Sequence, residues 1–176
     1  MKIKQIVALL LVALLCVGFA ACSKDGAPKG TINVAVDDAR FYLYVPDNWV
    51  SLASGGISGA TTPGREGANV QVVTYLAGQD YGTAANYWDT ECAPVYAATF
   101  TDFTLDEALC GDTALGGVNA RNYVYTATLG GETYRFRQVI ALYHNMVYIL
   151  TFTASPDVYE IYAEDVDAIC GNFVFR

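Results

Sequence analysis

The sequence predicts an α+β fold, an antiparallel β-sheet flanked by helices. Three observations carry that expectation. Long alternating segments in the second half are separated by the two-residue links Gly130-Gly131 and His144-Asn145, and both links tolerate the positive φ of tight hairpins. A stretch after Ser155 carries apolar residues at helical spacing, and so does a stretch between Thr83 and Ala93.

At the N-terminus, Lys2 and Lys4 precede an apolar run from Ile6 to about Val17, followed by Gly18, Phe19, Ala20, Ala21 and Cys22. Lysines that stay cytoplasmic while a short apolar segment enters the translocon are the layout of an export signal. The run is too short to be kept as a transmembrane helix. A cysteine directly after two small residues suits lipoprotein processing, in which a thiol receives the diacylglyceryl group and the peptidase requires small side chains before it. The segment resembles the bacterial lipobox, although Phe19 stands where Leu is usual. Cys16 is a poor rival because Leu15 precedes it. Residues 1–21 are read as a lipoprotein signal peptide, Cys22 as the lipidated residue and residues 22–30 as a polar tether. An ordinary signal peptide with Ala-x-Ala-like cleavage is the alternative.

Without residues 1–21 the chain loses two lysines and no acid, leaving 8 basic and 18 acidic residues and a formal charge of −10. Phosphate backbones and anionic headgroups repel such a surface, which argues against nucleic-acid binding and electrostatic membrane adhesion. Attachment to the membrane is expected through the lipid on Cys22, palmitate included, since each buried methylene adds about 0.8 kcal/mol.

Residues 31–176 hold one domain's worth of chain, with no internal repeat. FYLYVPDNW, from Phe41, reads as a short strand ended by Pro46. The 51–69 segment, SLASGGISGATTPGREGA and the residue after it, reads as a glycine-rich loop. NVQVVTYL reads as a strand. Ala85, Trp88 and Cys92, then Val95 or Tyr96, share one helical face that Pro94 disturbs or ends. In ARNYVYTATLGGETYRFRQVIALYHNMVYILTFTA the turns set the register: Thr126 opposes Arg135, Val124 opposes Arg137, and Val139 opposes Leu150. One face collects Arg135, Arg137, Asn122, Val139, Leu150 and Tyr148. The other collects Tyr123, Tyr125, Phe136, Ile140 and Ile149. Neither face is polar throughout, so the sheet is expected to be covered on both sides. Ser155 caps a predicted helix that begins at Pro156. Val158, Tyr162, Val166 and Ile169 form its apolar stripe, and Glu160, Glu164 and Asp167 an acidic stripe read as solvated.

These segments, taken in order, resemble the PsbP-like family. The residues that carry the likeness are FYLYVPDNW, LGGVNARNYVYTATLGGETYRFRQVIALYHNMVYILTFTA and YEIYAEDVDAICGNFVF, which span most of residues 40–175. The resemblance implies a PsbP-like α/β/α sandwich over residues 31–176. It also implies a binding or assembly module rather than a shared catalytic chemistry. The lipid-anchor signal departs from the photosynthetic members, so no photosynthetic role is carried over.

Catalytic chemistry finds little footing in the residues. The one histidine, His144, falls at a predicted hairpin tip, whereas Ser/His or Cys/His catalysis needs a base held and oriented beside its nucleophile. No spacing selects a carboxylate pair. Asp37-Asp38 and the group Asp102, Asp106, Glu107 and Asp112 offer oxygen ligands without EF-hand spacing, and no zinc or redox motif is present. No catalytic residue, metal site or cofactor is expected. Cys92, Cys110 and Cys170 leave at least one unpaired thiol; Cys92 and Cys170 read as buried, and a Cys92–Cys110 bridge is left open.

The sequence is therefore read as a lipid-anchored extracytoplasmic protein of the cell membrane or outer membrane, with a non-enzymatic domain that binds an envelope protein. Arg121, Arg135 and Arg137 and the 51–69 loop are the candidate contacts, with packing or ion pairing as the competing role of each arginine. A small-ligand or metal-binding module is the alternative, and an envelope hydrolase is the reading favoured least.

Overall fold

The computed structural model describes residues 26–52, 57–64 and 67–176. Its centre is an antiparallel sheet whose long strands are β9 (Val118–Leu129), β10 (Glu132–Tyr143) and β11 (Met146–Ala154), joined by the two predicted turns. Gly130 and Gly131 adopt φ of 62° and 91°, and His144 and Asn145 adopt 47° and 61°. These left-handed pairs match the strand twist, which is why two residues suffice. The predicted register holds throughout, with Thr126 opposite Arg135, Val124 opposite Arg137 and Val139 opposite Leu150.

Beyond β11 the sheet continues through β6 (Asn69–Leu76) and β5 (Ser58–Thr61) to the short edge strand β4 (Val50–Ser51). The 51–69 segment is thus not simply a loop. Ser58 and Ala60 are buried within the sheet, and a Cβ on Gly59 would sit 2.7 Å from the Val70 carbonyl oxygen. Glycine here permits a close backbone approach rather than a flexible turn. At the other end β7 (Thr101–Leu105) and β8 (Gly111–Leu115) lie one after the other along the outer side of β9. The alternation does not announce these two strands.

FYLYVP divides at Leu43 into two strands. β2 (Phe41–Tyr42) pairs with β12 (Val174–Phe175), whereas β3 (Tyr44–Pro46) pairs with β1 (Thr31–Asn33). At the division the Asn33 side-chain oxygen accepts from the Leu43 amide at 3.1 Å in place of a ladder bond.

Helices cover both faces, as the mixed patterning requires. On one side lie α1 (Ala84–Tyr87), a π-helical turn over Trp88–Cys92 and α2 (Ala93–Thr99). Pro94 does not end this segment. It occupies the first turn of α2, where its missing N–H costs nothing, and the wide turn before it absorbs the change of pitch. Trp88 lies flat on Tyr123, with ring centroids 3.9 Å apart and planes 9° apart. Together with Tyr125, Phe136, Ile140 and Ile149 they form one core. The opposite core joins Val139, Leu150 and Phe152 to Trp49, Val166 and Ile169, the last two from α3 (Ala163–Gly171). The terminal helix starts later than predicted. The Ser155 carbonyl accepts from the Val158 and Tyr159 amides in a turn, a 3₁₀ segment follows over Tyr159–Tyr162, and regular helix begins only at Ala163. No helix among the described residues is long and apolar enough to cross a membrane.

Candidate functional site

The three arginines do not form one group. Successive strand residues point to opposite faces, so Arg121, one residue before Asn122, falls on the face of Tyr123 and Ile140 while Arg135 and Arg137 share the other. Arg135 donates to Asp106 at 3.2 Å, approaches Glu160 at 3.8 Å and stands 4.7 Å over the Tyr159 ring. Arg137 donates to Asp167 at 2.7 Å and to the Asn122 side-chain oxygen at 2.9 Å. Two members of the acidic stripe, Glu160 and Asp167, are thus engaged with the sheet rather than merely solvated. Both guanidinium groups clasp the terminal helical segment to the sheet, which is a structural task.

Arg121 is placed differently. The Gly116-Gly117 turn, with φ of 53° and 80°, folds β8 back on β9 so that Asp112 stands directly across from Arg121. Arg121 donates from Nη1 to Asp112 Oδ1 at 2.9 Å, and this hydrogen bond holds the guanidinium pKa above its ordinary value. The side chains of Arg121 and Asp112 are 34% and 92% exposed. The guanidinium carbon lies 5.9 Å from the Tyr123 ring centre.

Opposite this pair the chain turns at Gly82 and enters α1, where the Thr83 hydroxyl caps the helix by accepting from the Asn86 amide at 3.1 Å. Between the start of α1 and the β8–β9 hairpin lies a cleft of about 670 Å³. Thr83, Thr113 and Asn119 give it polar walls, and Ala84, Ala120 and Leu142 apolar ones. Arg121 Nε is buried, and the Tyr123 hydroxyl hydrogen-bonds the same guanidinium. Concave sites of this size and mixed lining are where proteins take ligands.

Asp112, weighed in the sequence only as an oxygen ligand, stands instead across from Arg121 at the cleft, and a signal for that position exists. Centring a hairpin on Gly116-Gly117, by the rule that works at Gly130-Gly131, pairs residue 112 with residue 121.

The remaining candidates are not assembled for chemistry. His144 sits at the β10–β11 turn with its ring stacked on Tyr143, centroids 4.0 Å apart. Cys92, Cys110 and Cys170 are free, and burial pushes the Cys92 and Cys170 thiols up to about 11, the reverse of nucleophile activation. The Cys110 thiol donates to the Asp106 carbonyl at 3.2 Å. Among the described residues no three metal-ligating side chains converge; Asp106 and Asp112, two of the candidate oxygen ligands, face arginines instead. Cys22 and the signal segment lie outside the described residues, as do residues 53–56 and 65–66 of the 51–69 segment.

No family model matches the sequence, and no curated protein matches it. The fold does have solved counterparts. The solution structure of cyanobacterial PsbP (CyanoP) from Synechocystis matches with a TM-score of 0.60 at 14% identity, covering 92% of this chain and 96% of that one. The fold is PsbP-like. A protein of unknown function from Pseudomonas aeruginosa matches with a TM-score of 0.60 at 20% identity, over 83% of this chain and 97% of that one. LpqN, involved in cell envelope biogenesis of Mycobacterium tuberculosis, matches with a TM-score of 0.57 at 16% identity, over 82% of this chain and 89% of that one. At these identities the PsbP-like likeness is one of architecture.

Proposed function

We propose that this protein is a bacterial lipoprotein, anchored through Cys22 to the outer side of a membrane, whose PsbP-like domain over residues 31–176 binds an envelope protein without catalysing a reaction. The observation that carries this reading is the open cleft between α1 and the β8–β9 hairpin, with the Arg121–Asp112 pair at its rim. It offers shape and charge, but no nucleophile with a base beside it. Likeness to the envelope-biogenesis protein LpqN supports an envelope setting. The anchor would supply the mechanism: confining the domain to the membrane surface raises its effective concentration beside partners there and adds avidity without new contacts.

A small ligand in place of a protein is the second reading, favoured by the size and mixed lining of the same cleft. The test is a crosslinking pull-down from native membranes with the tagged full-length protein, using Cys22→Ala as the control. A discrete partner recovered with the anchored form, together with palmitate labelling that Cys22→Ala abolishes, is the expected result. A folded, lipidated protein that recovers no specific partner overturns the protein-binding reading in favour of the small ligand.

A further inference from the structure

We propose that the sheet edge formed by β4 and β5 is a second membrane contact: Val50, Leu52 and Ile57 enter the headgroup region of the bilayer that holds the lipid on Cys22, and so fix the orientation of the domain. The inference rests on the lipidated Cys22 of the proposed function and adds to it a surface of the folded domain.

Charge is distributed unevenly across the sheet. Every charged residue in the strands of the eight-stranded sheet belongs to β7, β8, β9 or β10, whereas β4, β5, β6 and β11 hold none. The stretch from Asn48 to Gly64 is uncharged throughout, in a chain with 18 acids. This edge can therefore leave water without stripping a charged group of its hydration.

Apolar side chains share one face of the same edge. Residues two apart in a strand point the same way, and Val50 stands across from Thr61. Leu52, whose amide donates to the Gly59 carbonyl at 2.8 Å, and Ile57 continue that face. The three side chains are 56%, 50% and 43% exposed, while Ser58 and Ala60 on the other face are buried. Gly59 opposes Gln71, so Tyr75, four residues further along β6, extends the face inward and is itself exposed.

Where the anchoring segment leaves the fold points to lipid as the occupant. The Gly30 carbonyl accepts from the Asp47 amide at 3.0 Å, and Asp47 is three residues from Val50, a span of at most about 11 Å. The Thr31 amide and hydroxyl both bind the Pro28 carbonyl, which folds the start of the described chain close to that point. Cys22 comes four residues before Gly26 and can lie at most about 14 Å from it. The lipid is thus tied by a short lead to the uncharged edge. With β4 against the bilayer, the cleft beside β9 stands five strand spacings away, about 24 Å, and opens toward partners beyond the headgroups. A single myristoyl chain binds membranes only marginally, and three partly exposed side chains bury less. The edge accordingly orients a domain already anchored and does not recruit a free one.

The test places the lipidated protein, methyl-labelled at Ile, Leu and Val, in phosphatidylcholine nanodiscs that contain nitroxide-bearing phosphatidylcholine. The Val50, Leu52 and Ile57 methyl signals are expected to be lost while those of Val95, Leu109 and Ile161, exposed elsewhere on the domain, persist. A Leu52→Asp, Ile57→Asp protein is expected to lose this selectivity and stay in the nanodisc. Uniform broadening in the native sequence, or broadening greatest at Val95, Leu109 or Ile161, overturns the contact. Shifts of the three methyls that follow protein concentration instead of lipid overturn it in favour of a second copy of the chain. A protein that carries no lipid and stays out of the nanodiscs overturns the anchoring instead. Residues 22–176 in a Cys110→Ser chain, coupled through Cys22 to a maleimide lipid, then restore the attachment, and the same comparison of methyls decides the edge by itself.

Discussion

Burial pushes the thiols of Cys92 and Cys170 up to about 11 from an ordinary 9.0, and the hydroxyls of Tyr96 and Tyr125 rise for the same reason, Tyr96 to about 12. In each case the native state keeps a proton that the unfolded chain gives up sooner. Stability is therefore present in full below about pH 9 and is lost as the pH rises toward about pH 11. Urea unfolding across that window is expected to show a falling midpoint, and a Cys92→Ala, Cys170→Ala protein a shallower fall, with the tyrosines supplying what remains. Equal slopes in the two proteins would show that the thiols do not take part. That both cysteines are buried was legible in the sequence, since each stands on an apolar helical stripe. The fate of the arginines was only half legible. Alternation separates Arg121 from Arg135 and Arg137, but the acids they meet come from other elements.

At the scale of elements, the terminal helical segment is held to the sheet by charge as well as by Val166 and Ile169. Asp167→Ala is expected to leave Arg137 Nη1 to water in place of its carboxylate, at a cost of about 0.2–1 kcal/mol. Hydrogen exchange over Ala163–Gly171 should quicken relative to β9–β11; unchanged exchange there would show that apolar packing alone holds the helix. The hairpins β9–β10 and β10–β11 were readable because their information is local: two turn residues able to take positive φ, and a side-chain period of two. β5 was not readable. Its Ser58-Gly59-Ala60 core has the composition of a loop, and only the neighbouring backbone of Val70 explains the glycine. The terminal helix was read correctly as to its buried stripe and wrongly as to its cap and start, because a turn closed by the Ser155 carbonyl and a 3₁₀ segment precede the regular helix.

For the whole molecule, charge and anchor make separable statements. With a formal charge of −10 once residues 1–21 are absent, an unlipidated protein of residues 22–176 is expected to stay in the supernatant with vesicles containing anionic lipid at roughly physiological salt, where screening acts beyond about 8 Å. Sedimentation with those vesicles would reveal a membrane-binding surface independent of the lipid. The sequence by itself determined the α+β class, the order and register of the three central strands and the presence of apolar residues on both sheet faces, because each depends on residues close together in the chain. The tertiary structure alone decided the split pairing of β2 and β3, the burial of β5, the partners of Arg135 and Arg137, and the cleft that opens between Thr83 and Arg121. The physical reason is distance along the chain. Those features join segments tens of residues apart, and no local period or turn encodes which of many compatible surfaces will meet when two cores close on opposite faces of one sheet.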